Sequence, residues 1–257
     1  DAAAGRQRNE HIRHLFNGLE LGVGGDGQLL RAVPHIAAGI EQILRRKDLG
    51  NISVAQAIAR RARTVDALLA AIRRTPEVDY LYLPGNHDEA ANVFCDCALP
   101  GNLKLFGKTW STVQYDGAAI SGAQVGADAA LYEALPHVDG AVNLVMLHGQ
   151  IGTACGVDMI NLNLLKNRGI DYLALGHIHA YQTGPLDGGG IYCYPGCLEG
   201  RGFDECGEKG FVLLTVEDGR IAHEFVPFSA RQLHRVPVDI TGISQNAQIA
   251  QRMKEQS

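Results

Sequence analysis

From residue 79 onward the chain repeats one polarity pattern: a short apolar run of strand length, cut off abruptly by glycine and polar residues. Tyr80–Leu83 runs into Pro84-Gly85-Asn86-His87-Asp88, Val142–Leu147 into His148-Gly149, and Tyr172–Leu175 into Gly176-His177-Ile178-His179. Runs of this length with such sharp ends predict buried strands. Further strands are predicted at Ile191–Tyr194, Phe211–Val216 and Ile221–Val226, the last two joined by Asp218-Gly219, a tight hairpin turn. Helical spacing dominates elsewhere. Val54, Ile58, Val65, Leu68, Leu69 and Ile72 form an apolar stripe behind the N-cap Ser53, and Arg60, Arg61, Arg63, Arg73 and Arg74 fall mainly off it, as a solvated face would. Met159–Arg168 predicts a short helix stopped by Gly169, and Arg6–Phe16 reads as helical, with Ile12, Leu15 and Phe16 on one side. Residues 28–47 are moderately helical around Pro34. After Pro227 an extended segment (Val236–Ile240) and a polar tail (Ser244–Ser257) are expected. Strand–helix–strand and hairpin signals together predict an α/β fold built on mixed sheets.

Composition narrows this. A chain of 257 residues can bury one large α/β core, and 31 glycines suit many tight loops. The formal charge of −5 argues against a broad electrostatic coating of nucleic acid, but leaves a local patch or metal-mediated binding open. No apolar stretch reaches 18 residues and no basic-then-apolar leader opens the chain, so no membrane association and a cytoplasmic location are expected. Six cysteines (95, 97, 155, 193, 197 and 206) lack the paired C-x2-C spacing of a structural zinc site, and reduced thiols are expected instead of zinc ligation or disulfides.

The chemistry gathers at the strand ends. Asn86, His87, Asp88, His148, His177 and His179 all lie just beyond the carboxyl ends of three predicted strands, where open α/β sheets collect their ligand sites. Imidazole, amide and carboxylate donors without a cysteine pair suit Mn²⁺, Fe or Zn²⁺. Gly176 and Gly85 allow the backbone to turn sharply, so that the residues after them can address one site. A dinuclear hydrolytic centre would further need a bridging carboxylate from another strand end.

Taken in order and spacing, Gly85-Asn86-His87-Asp88, His148-Gly149 and Gly176-His177-Ile178-His179 resemble the calcineurin-like metallophosphoesterase superfamily. The segment Tyr194-Pro195-Gly196-Cys197-Leu198-Glu199, followed by Phe203, Glu205 and Glu208-Lys209-Gly210-Phe211, resembles SbcD-type DNA repair exonucleases. The resemblance covers about residues 48–240. It implies a four-layer α/β/β/α sandwich of two mixed sheets over residues 1–230, with 231–257 as a C-terminal extension. It also implies a nuclease hydrolysing phosphodiester bonds with two divalent ions, Mn before Fe or Zn. DNA is the implied substrate, an SbcC-type ATPase the implied partner, and a homodimer is compatible. Asn86, His148 and His177 would bind the second metal and His179 the first. His87 would act at the leaving oxygen and Asp88 would orient it. Arg201 and Lys209 are candidates for contacts to nucleic-acid phosphates. A small-molecule phosphodiesterase or phosphatase, and a catalytically impaired scaffold, are the competing readings.

The first 47 residues depart from the pattern. The superfamily opens with an Asp-x-His pair that is missing here, and Asp1 followed by RQRNE resembles what comes just after it, so the pair is expected upstream of residue 1. For the bridging carboxylate the preferred match is Asp48, with Asp26 as its rival, although Arg45-Arg46-Lys47 replaces the usual small apolar approach to such a residue.

Overall fold

The computed structural model describes residues 11–14, 21–24, 65–85, 94, 98–126, 128–243 and 245–256. Helix α1 covers 65–73. The remaining elements are β1 (His11–His14), β2 (Leu21–Gly24), β3 (Val78–Tyr82), β4 (Leu103–Leu105), β5 (Ser111–Tyr115), β6 (Ala118–Gly122), α2 (Ala130–Glu133), β7 (Val142–His148), β8 (Gln150–Gly152), β9 (Met159–Asn161), β10 (Tyr172–Gly176), β11 (Gln182–Pro185), β12 (Ile191–Tyr194), β13 (Gly210–Glu217), β14 (Arg220–Pro227) and α3 (Asn246–Gln256).

Two six-stranded sheets organise these elements, in the orders β14-β13-β1-β2-β3-β4 and β11-β12-β10-β7-β6-β5, with β8 and β9 forming a small separate ribbon. Both large sheets are mixed. Parallel pairing joins β3 to β4 in the first, and runs through β6, β7, β10 and β12 in the second. Both faces of β7 are covered, which explains why its residues other than Asn143 and His148 are apolar. Val142, Leu144 and Met146 enter a core shared with Tyr80, Tyr82, Val212 and Leu214 of the first sheet. Val145 and Leu147 face the other way, among Tyr132, Ile160 and Leu165. Polar contacts also cross between the sheets: the Tyr115 hydroxyl donates to Asp79 Oδ2 at 2.9 Å, and the rings of Tyr172 and His223 lie 6.3 Å apart. The stripe Val65, Leu68, Leu69 and Ile72 of α1 is buried in the same shared core. Trp110 packs beside the second cluster and donates its indole N–H to the Leu131 carbonyl at 2.7 Å.

Two expectations are corrected. Residues 11–14, expected within a helix, form a strand paired antiparallel with both β13 and β2, so sheet pairing overrides a local helical pattern. Met159–Arg168 is not one helix. Its first three residues pair with β8, and only Leu162–Leu165 turn, as a 3₁₀ helix opened by the Asn161 side chain accepting from the Asn163 amide. Within the polar tail, for which no element was expected, Asn246–Gln256 form α3. None of the four described cysteines is joined in a disulfide, and no helix among the described residues is long and apolar enough to cross a membrane.

Candidate metal centre

Strand register sets the first pair of imidazoles. In the parallel pairing of β7 with β10, His148 stands opposite Gly176, and the Gly149 amide donates to the Gly176 carbonyl at 3.3 Å. His177 follows at once with φ 99°, a left-handed conformation that a non-glycine residue rarely adopts. Its ring meets that of His148 edge-on, with centroids 5.4 Å apart and planes at 87°. Such strain is typical of sites whose surroundings over-determine a functional geometry.

The loop after β3 arrives from the other sheet. A Cβ on Gly85 would stand 2.7 Å from Cε1 and 3.0 Å from Nε2 of His148, so glycine is what lets this backbone lie against the imidazole. The loop that opens Asn86-His87-Asp88 therefore starts beside His148. Asn86, His87 and Asp88 themselves, like Asp48 and Asp26, lie outside the described residues.

His179 is held from two sides. Its Nδ1 meets Glu205 Oε1 at 2.5 Å. Its backbone carbonyl accepts from Lys209 Nζ at 2.9 Å and from the Cys197 thiol at 3.5 Å. Glu205 is buried, and its second oxygen accepts the Arg201 amide at 2.8 Å, with the guanidinium Nε at 3.9 Å. Burial by itself would raise the Glu205 pKa. The hydrogen bonds from His179 and the Arg201 amide, with the charges of the same two residues, outweigh it and hold the carboxyl down at about 2.

The segment after the last histidines thus does structural service that its sequence hides. Glu205 stands in the quoted signature, but nothing in its spacing says that it reaches back 26 residues to a histidine. Lys209, a candidate for phosphate contact, is instead 5% exposed, with its ammonium on the His179 carbonyl. Arg201 is likewise turned inward, toward Glu205.

The donor set fits a divalent ion. His148 and His177 present half-buried imidazoles beside one another at strand ends, and nitrogen donors of this kind take Mn²⁺, Fe or Zn²⁺. His179, Cys197 and Glu205 also offer one ligand atom each within 4.8 Å of one another. The 2.5 Å approach of nitrogen to oxygen there is a direct hydrogen bond. Two donors on one ion, each bonded at about 2.0–2.2 Å, would stand roughly 3 Å or more apart. That trio therefore supports His179, and does not itself enclose an ion.

Imidazoles at the carboxyl ends of adjacent strands, met by a glycine loop from a facing sheet, make an arrangement suited to a divalent ion. Comparison with known proteins makes this more specific. The chain is 29% identical over 171 residues to the uncharacterized metallophosphoesterase YhaO of Bacillus subtilis (strain 168), a match covering 61% of this chain and 41% of that protein. The chain thus spans about two fifths of that relative's length. No family model matches. The similarity supports a relation to the metallophosphoesterase superfamily over the matched residues.

Proposed function

We propose that this protein is a DNA nuclease of the SbcD type, hydrolysing phosphodiester bonds at a dinuclear site loaded with Mn²⁺. The observation that carries the reading is the meeting of His148, His177 and the Gly85 backbone at the ends of strands from two sheets. It is joined by the signature Tyr194–Phe211, whose Glu205 and Lys209 both converge on His179. Asn86, His148 and His177 would hold one ion and His179 the other, with Asp48 as the carboxylate shared between them. When bound, the ions would lower the pKa of a water and neutralise phosphodiester charge.

The chain's own residues supply the rest. His87 would act as general acid for the leaving oxygen, and Asp88 would orient it by accepting its second N–H. Gly85, just ahead of both in the chain, lies against the His148 ring. The reading carries with it a four-layer sandwich, exonucleolytic action in DNA repair, a cytoplasmic location and an SbcC-type ATPase partner.

The test is cleavage of single- and double-stranded DNA by the purified full-length protein with Mn²⁺, beside a small chromogenic phosphodiester. DNA cleavage that falls by about 10²–10⁴-fold in His87→Ala supports the proposal. Hydrolysis of the small ester with no cleavage of any DNA contradicts the nuclease assignment and favours a small-molecule phosphodiesterase.

A further inference from the structure

A histidine that must bind a metal through one ring nitrogen needs its ring plane and tautomer fixed by the other. His179 has this support twice over. Glu205 Oε1 lies 2.5 Å from Nδ1, and Glu205 is fixed in turn by the Arg201 amide at 2.8 Å on Oε2. An ionised carboxylate only accepts hydrogen bonds, so Nδ1 must carry the hydrogen and Nε2 is left to face a ligand. The main chain of the same residue is pinned separately by Lys209 Nζ at 2.9 Å. An ammonium buried at 5% exposure is costly unless it is used, and the His179 carbonyl is its partner here.

We infer that Glu205 and Lys209 are positioning residues for His179, the carboxylate setting the ring and its tautomer and the ammonium setting the backbone that carries it. Neither need touch substrate. This rests on the metallophosphoesterase reading above, because it treats His179 Nε2 as a metal ligand.

The experiment is titration of the metal-free full-length protein with Mn²⁺ by calorimetry. It compares wild type with Glu205→Gln, Glu205→Ala, Lys209→Met and Cys197→Ala, with ¹⁵N-histidine spectra recording the His179 tautomer. Thermal unfolding of the metal-free forms serves as the control for folding. Losing such support typically weakens metal affinity by about 10–100-fold. Affinity should therefore fall by that order in Glu205→Ala and less in Glu205→Gln, which keeps an acceptor oxygen. The His179 tautomer should become mixed in Glu205→Ala, and Cys197→Ala should bind like wild type. If Glu205→Ala fails to fold, the isosteric Glu205→Gln and Lys209→Met decide.

Wild-type affinity and an unchanged His179 spectrum in the Glu205 and Lys209 variants would overturn the inference. So would a loss in Cys197→Ala as large as in Glu205→Ala, which would make the trio a metal site in its own right. Failure of the wild type itself to bind Mn²⁺ would instead overturn the metallophosphoesterase reading.

Discussion

At the scale of single residues, close approach and hydrogen bonding fix the described part of the site. Gly85 is the sharpest case. A methyl group there would meet the His148 ring at 2.7 Å, and the atoms in its way are the far end of a side chain. The fold can yield by swinging the imidazole aside, but the proposed ligand then leaves its place. Gly85→Ala should therefore cost little stability and much function: a displacement near 1 Å can reduce rate by about 10²-fold. Measured Mn²⁺ affinity and turnover should drop while the unfolding midpoint barely moves. Tyr194 is the opposite case. Its buried hydroxyl donates to the Gly149 carbonyl at 2.8 Å and accepts the Ile151 amide at 2.9 Å, fastening the turn that follows His148. Tyr194→Phe should destabilise the protein by about 1–3 kcal/mol in urea titrations, the usual cost of stranding buried polar groups. Glu205 sets an acid limit. Its carboxyl is held at about 2, well below an ordinary glutamate, so its charged form stabilises the fold fully above the ordinary glutamate range. That contribution is lost as pH falls toward 2. The stability gap between wild type and Glu205→Gln should accordingly be constant from neutral pH to about 5 and shrink below pH 4, as read from denaturation midpoints across pH.

At the scale of elements, strands β7 and β10 carry the site and β13–β14 brace the sheet that faces them. The β13–β14 turn has Asp218 at φ 50° and Gly219 at φ 71°, the paired left-handed conformation of a tight hairpin, with Glu217 opposite Arg220. Gly219→Ala should lower stability by about 1 kcal/mol by chemical denaturation and leave metal binding unchanged, because a Cβ costs roughly that much in this conformation. The strands were the most legible part of the chain. Tyr172–Leu175 and Ile191–Tyr194 announce themselves by unbroken apolar runs, and Val142–Leu147 by a run broken only at Asn143, as suits strands with both faces covered. The segments that misled are those whose state is decided by distant partners. Residues 11–14 become a strand because β13 and β2 supply backbone partners, and Met159–Asn161 pairs with β8 although its leucine-rich continuation favours a turn. The site was legible in part for the same reason. Histidines at strand ends stand out, and register alone brings His148 beside His177. The link from His179 to Glu205 crosses 26 residues and depends on how a loop folds back, which no local spacing records.

At the scale of the whole molecule, two mixed sheets share one core and direct their loops toward a common edge. His148 and His177 come from one sheet and Gly85 from the other. This brings residues 85, 148 and 177 together at one end of the two sheets. The proposed activity requires that this centre bind metal and use it. The most direct measurement is bound metal per chain together with Mn²⁺-dependent phosphodiester hydrolysis, in the full-length wild type and in His177→Ala. The account predicts stoichiometric metal in the wild type, with hydrolysis that a chelator abolishes and Mn²⁺ restores. In a folded His177→Ala protein both metal content and rate should be sharply reduced. Equal metal content and equal hydrolysis in the two proteins would contradict it.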